Sequence, residues 1–141
     1  MIIFEVIAFG HKNITAKHYN TLEVTKDPEI SKRADCVIGV RANLGASGIP
    51  EKAKMALKKG KKVEVEIILP EYGIRDFLFG FGSEKLSFRH ERDIVIRKSN
   101  FVCGRTVLIS ANKSALEINR ELVKLLREEK TEIKLLFKIE S

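Results

Sequence analysis

The first half of this sequence returns in the second, and self-similarity of that kind fixes an architecture before any single residue does. Phe9-Gly10-His11-Lys12-Asn13-Ile14-Thr15-Ala16-Lys17-His18 reappears as Phe81-Gly82-Ser83-Glu84-Lys85-Leu86-Ser87-Phe88-Arg89-His90. Leu22, Val24 and Lys26 return as Ile94, Ile96 and Lys98, and Arg41-Ala42-Asn43 as Ser110-Ala111-Asn112. The 141 residues therefore read as a single domain, 1–141, made of two repeats, about 1–72 and 73–141. That length suffices for a buried core.

Each repeat reads β-β-β-α-β. Alternation places Ile3, Glu5, Ile7 and Phe9 on one face of a first strand, and a long second strand runs from Ile14 to Val24. Asp27-Pro28-Glu29 breaks it, and Cys36 to Ala42 forms a third strand. A helix follows from Pro50 to Lys59, stopped by Gly60. Val63, Val65, Ile67 and Leu69 then alternate with charged residues in a strand with one wet face. The second repeat places Phe77, Phe79 and Phe81 on one strand face, followed by strands Leu86–Arg97 and Arg105–Ala111. Ser114 with Glu117 forms a capping box for a helix whose stripe includes Ile118, Leu122 and Leu126. Ile133, Leu135, Phe137 and Ile139 line the last strand. The expected fold is mainly β (α+β): an internally duplicated unit forming a pseudo-twofold barrel or two-sheet sandwich with two helices. Closure would hide the edges of eight short strands. A double-psi barrel is the nearest analogue, although each half holds one strand more.

With 44% hydrophobic residues the chain has the composition of a folded protein, and no apolar run reaches the length of a membrane span. The start, Met1-Ile2-Ile3-Phe4-Glu5, lacks the basic region of a signal peptide and reads as a strand, and no membrane partner is expected. Two cysteines do not make a secreted disulfide framework. Net charge is +7, shared by the halves as 12 basic against 9 acidic and 14 against 10 side chains. This Lys- and Glu-rich surface suits a thermophile, in which the charge decorates ion-pair networks, or else an anion-binding protein.

The segments Gly10-His11-Lys12-Asn13-Ile14-Thr15-Ala16, Ala34-Asp35-Cys36-Val37-Ile38-Gly39-Val40 and Ile94 through Thr106 resemble an archaeal family, domain of unknown function 371, over nearly the whole chain. The resemblance implies an archaeal, cytoplasmic, mainly-β protein, and it implies no activity. The family pattern carries a Gly-His pair in the second half as well, where this sequence has Gly82-Ser83.

Three site readings compete. A basic strand face bearing Lys17 and Tyr19, with Arg89 and Arg97 in the repeat, would track the phosphates of RNA or another polyanion, and Tyr19 would stack on a base. Glu23 and Glu91 on that face favour a solvated ion-pair network instead. Leu44-Gly45-Ala46-Ser47-Gly48 and Asn112-Lys113-Ser114 lead into helix starts, so Lys113 joins the anion-binding candidates, against plain turn and capping chemistry. A second reading is a small-molecule enzyme or a metal protein with its site between the repeats, near His18 and His90. His11, His18, His90, Cys36 and Cys103 are its metal-ligand candidates, at a spacing matching no tight ligand motif. Satisfied structural histidines are the plain alternative. The third reading is a subunit that docks another protein.

Overall fold

The computed structural model describes residues 1–140. Eight strands form two four-stranded sheets, and two short helices complete the structure. In chain order the strands are β1 (Ile2–Phe9), β2 (Thr21–Thr25), β3 (Val37–Gly39), β4 (Lys62–Leu69), β5 (Ile74–Phe81), β6 (Asp93–Arg97), β7 (Thr106–Leu108) and β8 (Glu132–Ile139). Helix α1 (Glu51–Leu57) lies between β3 and β4, and α2 (Arg120–Leu125) between β7 and β8, each preceded by a single 3-10 turn.

The first sheet has the order β1-β8-β4-β5 and is antiparallel throughout. Its period-two alternation sends Phe4, Val6 and Ala8, Val63, Val65, Ile67 and Leu69, and Ile133, Leu135, Phe137 and Ile139 into the core. The second sheet has the order β3-β2-β6-β7. Its central pair β2–β6 is antiparallel and its outer pairs β2–β3 and β6–β7 are parallel. Leu22, Val24, Ile94 and Ile96 face the same core, closed by Ala53, Ala56 and Leu57 of α1 and by Leu122 and Val123 of α2.

Among the described residues no closed barrel forms. The two sheets keep separate hydrogen-bonded ladders, and single bridges, Phe9 to Val40 and Phe81 to Ile109, connect the end of each first strand to the chain just past β3 and β7. The exposed edges that closure would have hidden are managed locally. Asn43 Oδ1 accepts from the Ile7 N–H at 2.9 Å while the Asn43 N–H donates to the Ile7 carbonyl at 3.0 Å. Asn112 does the same to Phe79 at 2.8 and 3.0 Å. Each asparagine thus supplies two rungs of a missing strand to an edge of the first sheet.

The second strands are much shorter than their alternation suggests. Residues 14–20 and 86–92 lie outside the ladders, because Ala16 and Phe88 adopt positive φ, 47° and 51°, and turn the chain. The N–H groups of Lys17 and His18 both bond the Asp35 carbonyl, and those of Arg89 and His90 both bond the Gly104 carbonyl. The second helix is also broken. Ser114 and Glu117 do make the capping box, but around the 3-10 turn Ala115–Glu117, and Asn119 caps α2 itself by accepting from the Glu121 and Leu122 N–H groups. Among the described residues, no helix is long and apolar enough to cross a membrane.

Candidate functional site

The anticipated basic strand face is not formed. Lys17, Tyr19 and Arg89 lie in the irregular segments before β2 and β6, and only Arg97 stands on a strand. Arg97 is engaged: Nε donates to Thr106 Oγ1 at 2.9 Å, Nη2 donates to Cys103 Sγ at 3.3 Å, and its guanidinium covers the Phe101 ring at 4.9 Å. Lys113 is neutralised by Asp76 at 2.7 Å. Tyr19 is 76% exposed and stacks on His18 with ring centroids 5.4 Å apart.

Lys17 instead joins cations the linear sequence does not group. With Lys32, Arg120, Lys124 and Arg127 it lines an open cavity of about 420 Å³ whose other walls are Ile14, Thr15 and Val123, with no carboxylate among them. Among the described residues, Lys17, Lys32, Lys124 and Arg127 take part in no ion pair, whereas eight other cations, such as Lys54, Arg75, Lys98 and Lys138, do. Arg120 is held in place by the carbonyls of Thr15, Ala16, Ala115 and Leu116, and so presents a fixed charge. Thr15 Oγ1, in the same wall, is buried without a hydrogen-bond partner. Arg127 is shared with a second open cavity, of about 520 Å³, lined by Lys12 and Lys130 as well as Glu128 and Glu129. Clustered cations with no counter-charge raise the local potential and attract anions.

The three histidines serve turns. Nδ1 of His18 accepts from the N–H groups of Asn20 and Thr21 at 3.1 and 3.0 Å, and Nδ1 of His90 from those of Arg92 and Asp93 at 3.2 and 2.9 Å. His11 is buried; its Nδ1 accepts from the Asn13 N–H at 3.0 Å, and its Nε2 meets Glu29 Oε2 at 3.1 Å. The Ser83 hydroxyl accepts from the Lys85 N–H at 3.2 Å, a turn contact of the same kind as that of His11 Nδ1 with the Asn13 N–H. Both strand histidines are half-buried and precede β2 and β6 rather than standing on an apolar strand face. No group of three or more His, Cys, Asp or Glu side chains that could hold a metal ion occurs among the described residues.

A second concentration of chemistry lies on the outer face of the second sheet, where pairing aligns Thr21, Glu23 and Thr25 with Arg97, Val95 and Asp93. Glu23 and Asp93 are each only 8% exposed. Arg105 Nη1 reaches Asp93 Oδ2 at 3.1 Å and Glu23 Oε1 at 3.5 Å, Thr25 donates to Asp93 Oδ1 at 2.7 Å, and His90 Nε2 stands 3.9 Å from Asp93 Oδ2. Burial, and then the neighbouring Asp93 charge, push the Glu23 carboxyl up to about 7, against the pull of Arg105. The Cys36 thiol donates to Glu23 Oε1 at 3.7 Å, and burial followed by the Glu23 and Asp35 charges pushes it up to about 12. Cys103 behaves oppositely. Burial works against its charge but is outweighed by the Arg105 N–H, the Thr106 hydroxyl and the guanidinium groups of Arg97 and Arg105, which bring it down to about 7. Both cysteines are free and half-buried. The sequence offered Cys36 and Cys103 as metal-ligand candidates; their opposite environments come from Glu23 and Asp35 at one and from Arg97, Arg105 and Thr106 at the other.

Residues 6–140 match the family model described as "Domain of unknown function (DUF371)". The uncharacterized protein MJ0206 of Methanocaldococcus jannaschii is 45% identical over 136 residues, covering 96% of this chain and 97% of that protein.

Proposed function

The chain belongs to the domain of unknown function 371 family, and from that footing we propose that it is a noncatalytic binding protein that engages RNA or another polyanion. The cavity walled by Lys17, Lys32, Arg120, Lys124 and Arg127 without an acidic residue is the observation that carries this reading. Its cations sit on three separate segments, converge on one opening, and, among the described residues, are without the ion-pair partners that eight other cations of the chain have. The neighbouring cavity with Lys12 and Lys130 extends the track past a single phosphate. Tyr19, two residues from Lys17 and backed by His18, offers a flat ring to a base, which favours single-stranded RNA over a simpler polyanion.

Fluorescence anisotropy with labelled mixed-sequence RNA, duplex DNA and heparin, titrated from low to near-physiological salt, tests the reading. Binding that persists at the higher salt with a steep log–log slope supports it. Binding only at the lowest salt, or binding unaltered by Lys124→Glu with Arg127→Glu, would overturn it.

A second reading, small-molecule chemistry between the halves, draws on one observation. His90, Asp93 and Arg105 of the second half converge with Glu23 and Thr25 of the first on the central strand pair.

The halves themselves we read as copies of one unit around a pseudo-twofold axis. The support is in matched local chemistry. The four non-glycine residues of positive φ fall in two corresponding pairs, Ala16 with Phe88 and Arg41 with Ser110. His18 corresponds to His90 and Asn43 to Asn112 in the hydrogen bonds they make.

A further inference from the structure

We infer that the cationic cavity takes a compact polyphosphate, the terminal triphosphate of a nucleotide or of an RNA chain, rather than the internal phosphodiesters of RNA. The inference rests on the binding reading above and narrows its ligand. Thr15 and Lys17 come to the cavity from the segment before β2, and Arg120, Lys124 and Arg127 from α2 and the turn after it. Its volume of about 420 Å³ is that of a small-molecule site.

The other half carries the matching cleft and shows the same frame without the cations. Ser87 and Phe88 correspond there to Thr15 and Ala16, and α1 presents Glu51, Met55 and Lys58 at the places of Arg120, Lys124 and Arg127. Phe88 shares its positive φ with Ala16 but carries a ring, and Lys54 Nζ lies 6.0 Å from the centre of that ring and 3.8 Å from Glu51. That cleft measures about 200 Å³. The repeated frame alone therefore does not produce five cations around one opening; the first of the two clefts is the roomier and the one stripped of acid.

Charge density selects the ligand. An internal phosphodiester brings one negative charge per nucleotide. A terminal phosphate ester carries about −1.5 to −2 at pH 7, and further phosphates joined to it add charge with no ribose between. Five cations on one cavity are matched best by the group that packs most negative charge into that volume. Two features of the wall suit phosphate oxygens. Four carbonyls fix the Arg120 guanidinium before any ligand arrives, so its charge needs no ordering on binding. Thr15 Oγ1 is buried with no hydrogen-bond partner. Buried hydroxyls are normally bonded, and a phosphate oxygen, an acceptor only, completes this one.

Calorimetric titration of the intact chain, at near-physiological salt without magnesium, compares inorganic tripolyphosphate, ATP and one single-stranded RNA bearing a triphosphate or a hydroxyl at its first nucleotide. Tripolyphosphate is expected to bind and to displace the triphosphate RNA, which should itself bind about tenfold tighter than the hydroxyl form. ATP and the triphosphate RNA are two sources of one group, and the tighter of them identifies the source. Lys124→Met, which copies Met55, should weaken tripolyphosphate about tenfold. Thr15→Val should weaken it about threefold without lowering the melting temperature, because the hydroxyl has no protein partner to lose. Equal binding of the two RNA forms with no binding of tripolyphosphate would overturn the inference and leave the polyanion reading standing. Binding of tripolyphosphate and ATP with neither RNA bound would uphold the inference and remove RNA as the ligand. Tripolyphosphate binding unaltered in both variants would overturn it, since the anion would then sit elsewhere.

Discussion

Lys113 holds its ammonium nitrogen 2.7 Å from Asp76 Oδ1, and Asp76 spends its other oxygen on the Asn119 N–H, also at 2.7 Å. Burial opposes the charge on Asp76, yet the Lys113 and backbone hydrogen bonds hold its carboxyl below the ordinary range. Lys113 is thus a strut between β5 and the start of α2, and its charge is consumed. Lys17 has no such partner and faces the cationic cavity.

The two lysines should therefore separate cleanly in a binding assay. Lys17→Ala is expected to weaken RNA binding several-fold and to lower the salt slope by about 1, the signature of one lost phosphate contact. Lys113→Ala should leave both unchanged while costing about 1 kcal/mol of stability by stranding a half-buried carboxylate. Anisotropy titrations and denaturant melts of the two variants check this, and a larger binding loss for Lys113→Ala would refute the assignment.

The clamps on the sheet edges make a stability prediction. Asn43→Ala and Asn112→Ala each remove the acceptor for one edge-strand N–H, that of Ile7 or Phe79. Each should cost about 1 kcal/mol and should speed hydrogen exchange at that amide. Asn112→Asp keeps an acceptor oxygen and should lose less. Unchanged exchange at Ile7 and Phe79 would show that the side chains do not supply the missing rungs.

The sequence made the first sheet legible because one buried face imposes a period of two. Phe77, Phe79 and Phe81 share a face as expected, and Ile133, Leu135, Phe137 and Ile139 are all buried. Arg41-Ala42-Asn43 and Ser110-Ala111-Asn112 were visible as recurrences, although their edge-capping role was not. The second strands misled because alternation continues through residues 14–20 and 86–92, while carbonyls of distant loops, Asp35 and Gly104, turn those segments aside. The cationic cavity escaped notice for a similar reason. Lys17, Lys32 and the Arg120–Arg127 stretch are far apart in the chain, and whether a lysine is free or paired depends on partners such as Asp76 that only the fold supplies.

Gly82 tests how tightly the helix ends are seated. A Cβ built there would lie 1.8 Å from the Leu57 carbonyl oxygen, and one at Gly10 would lie 2.1 Å from that of Glu128. Both obstacles are backbone, so neither can swing away. Gly82→Ala and Gly10→Ala should each cost about 3 kcal/mol or more. Gly73 has φ +65° with open space around it, so Gly73→Ala meets only backbone strain, about 1 kcal/mol. Thermal melts of the three variants give the comparison. Equal losses at Gly82 and Gly73 would contradict the close approach of the chain segments.

Glu23 makes stability depend on pH with a sign opposite to that of an ordinary salt-bridged carboxylate. Its carboxyl rises from 4.5 to about 7 in the folded chain, burial being the chief cause and Asp93 the next. Between those values the folded state binds the proton more tightly than the unfolded state does. Protonated Glu23 therefore favours folding at low pH, and stability falls as pH climbs from 4.5 to 7, levelling off above. The loss is at most about 3–4 kcal/mol, since one unit corresponds to 1.36 kcal/mol. Glu23→Gln keeps the shape, keeps an acceptor for the Cys36 thiol and cannot ionise. The variant should match the parent near pH 4, exceed it by about 1–3 kcal/mol at pH 8 and lose the slope between. Asp93 keeps Arg105 in place through the 3.1 Å pair in both proteins, so the difference isolates position 23. A Glu23→Gln variant less stable than the parent at pH 8 would mean that the Arg105 contact outweighs burial, and that Glu23 is a conventional ion-pair partner.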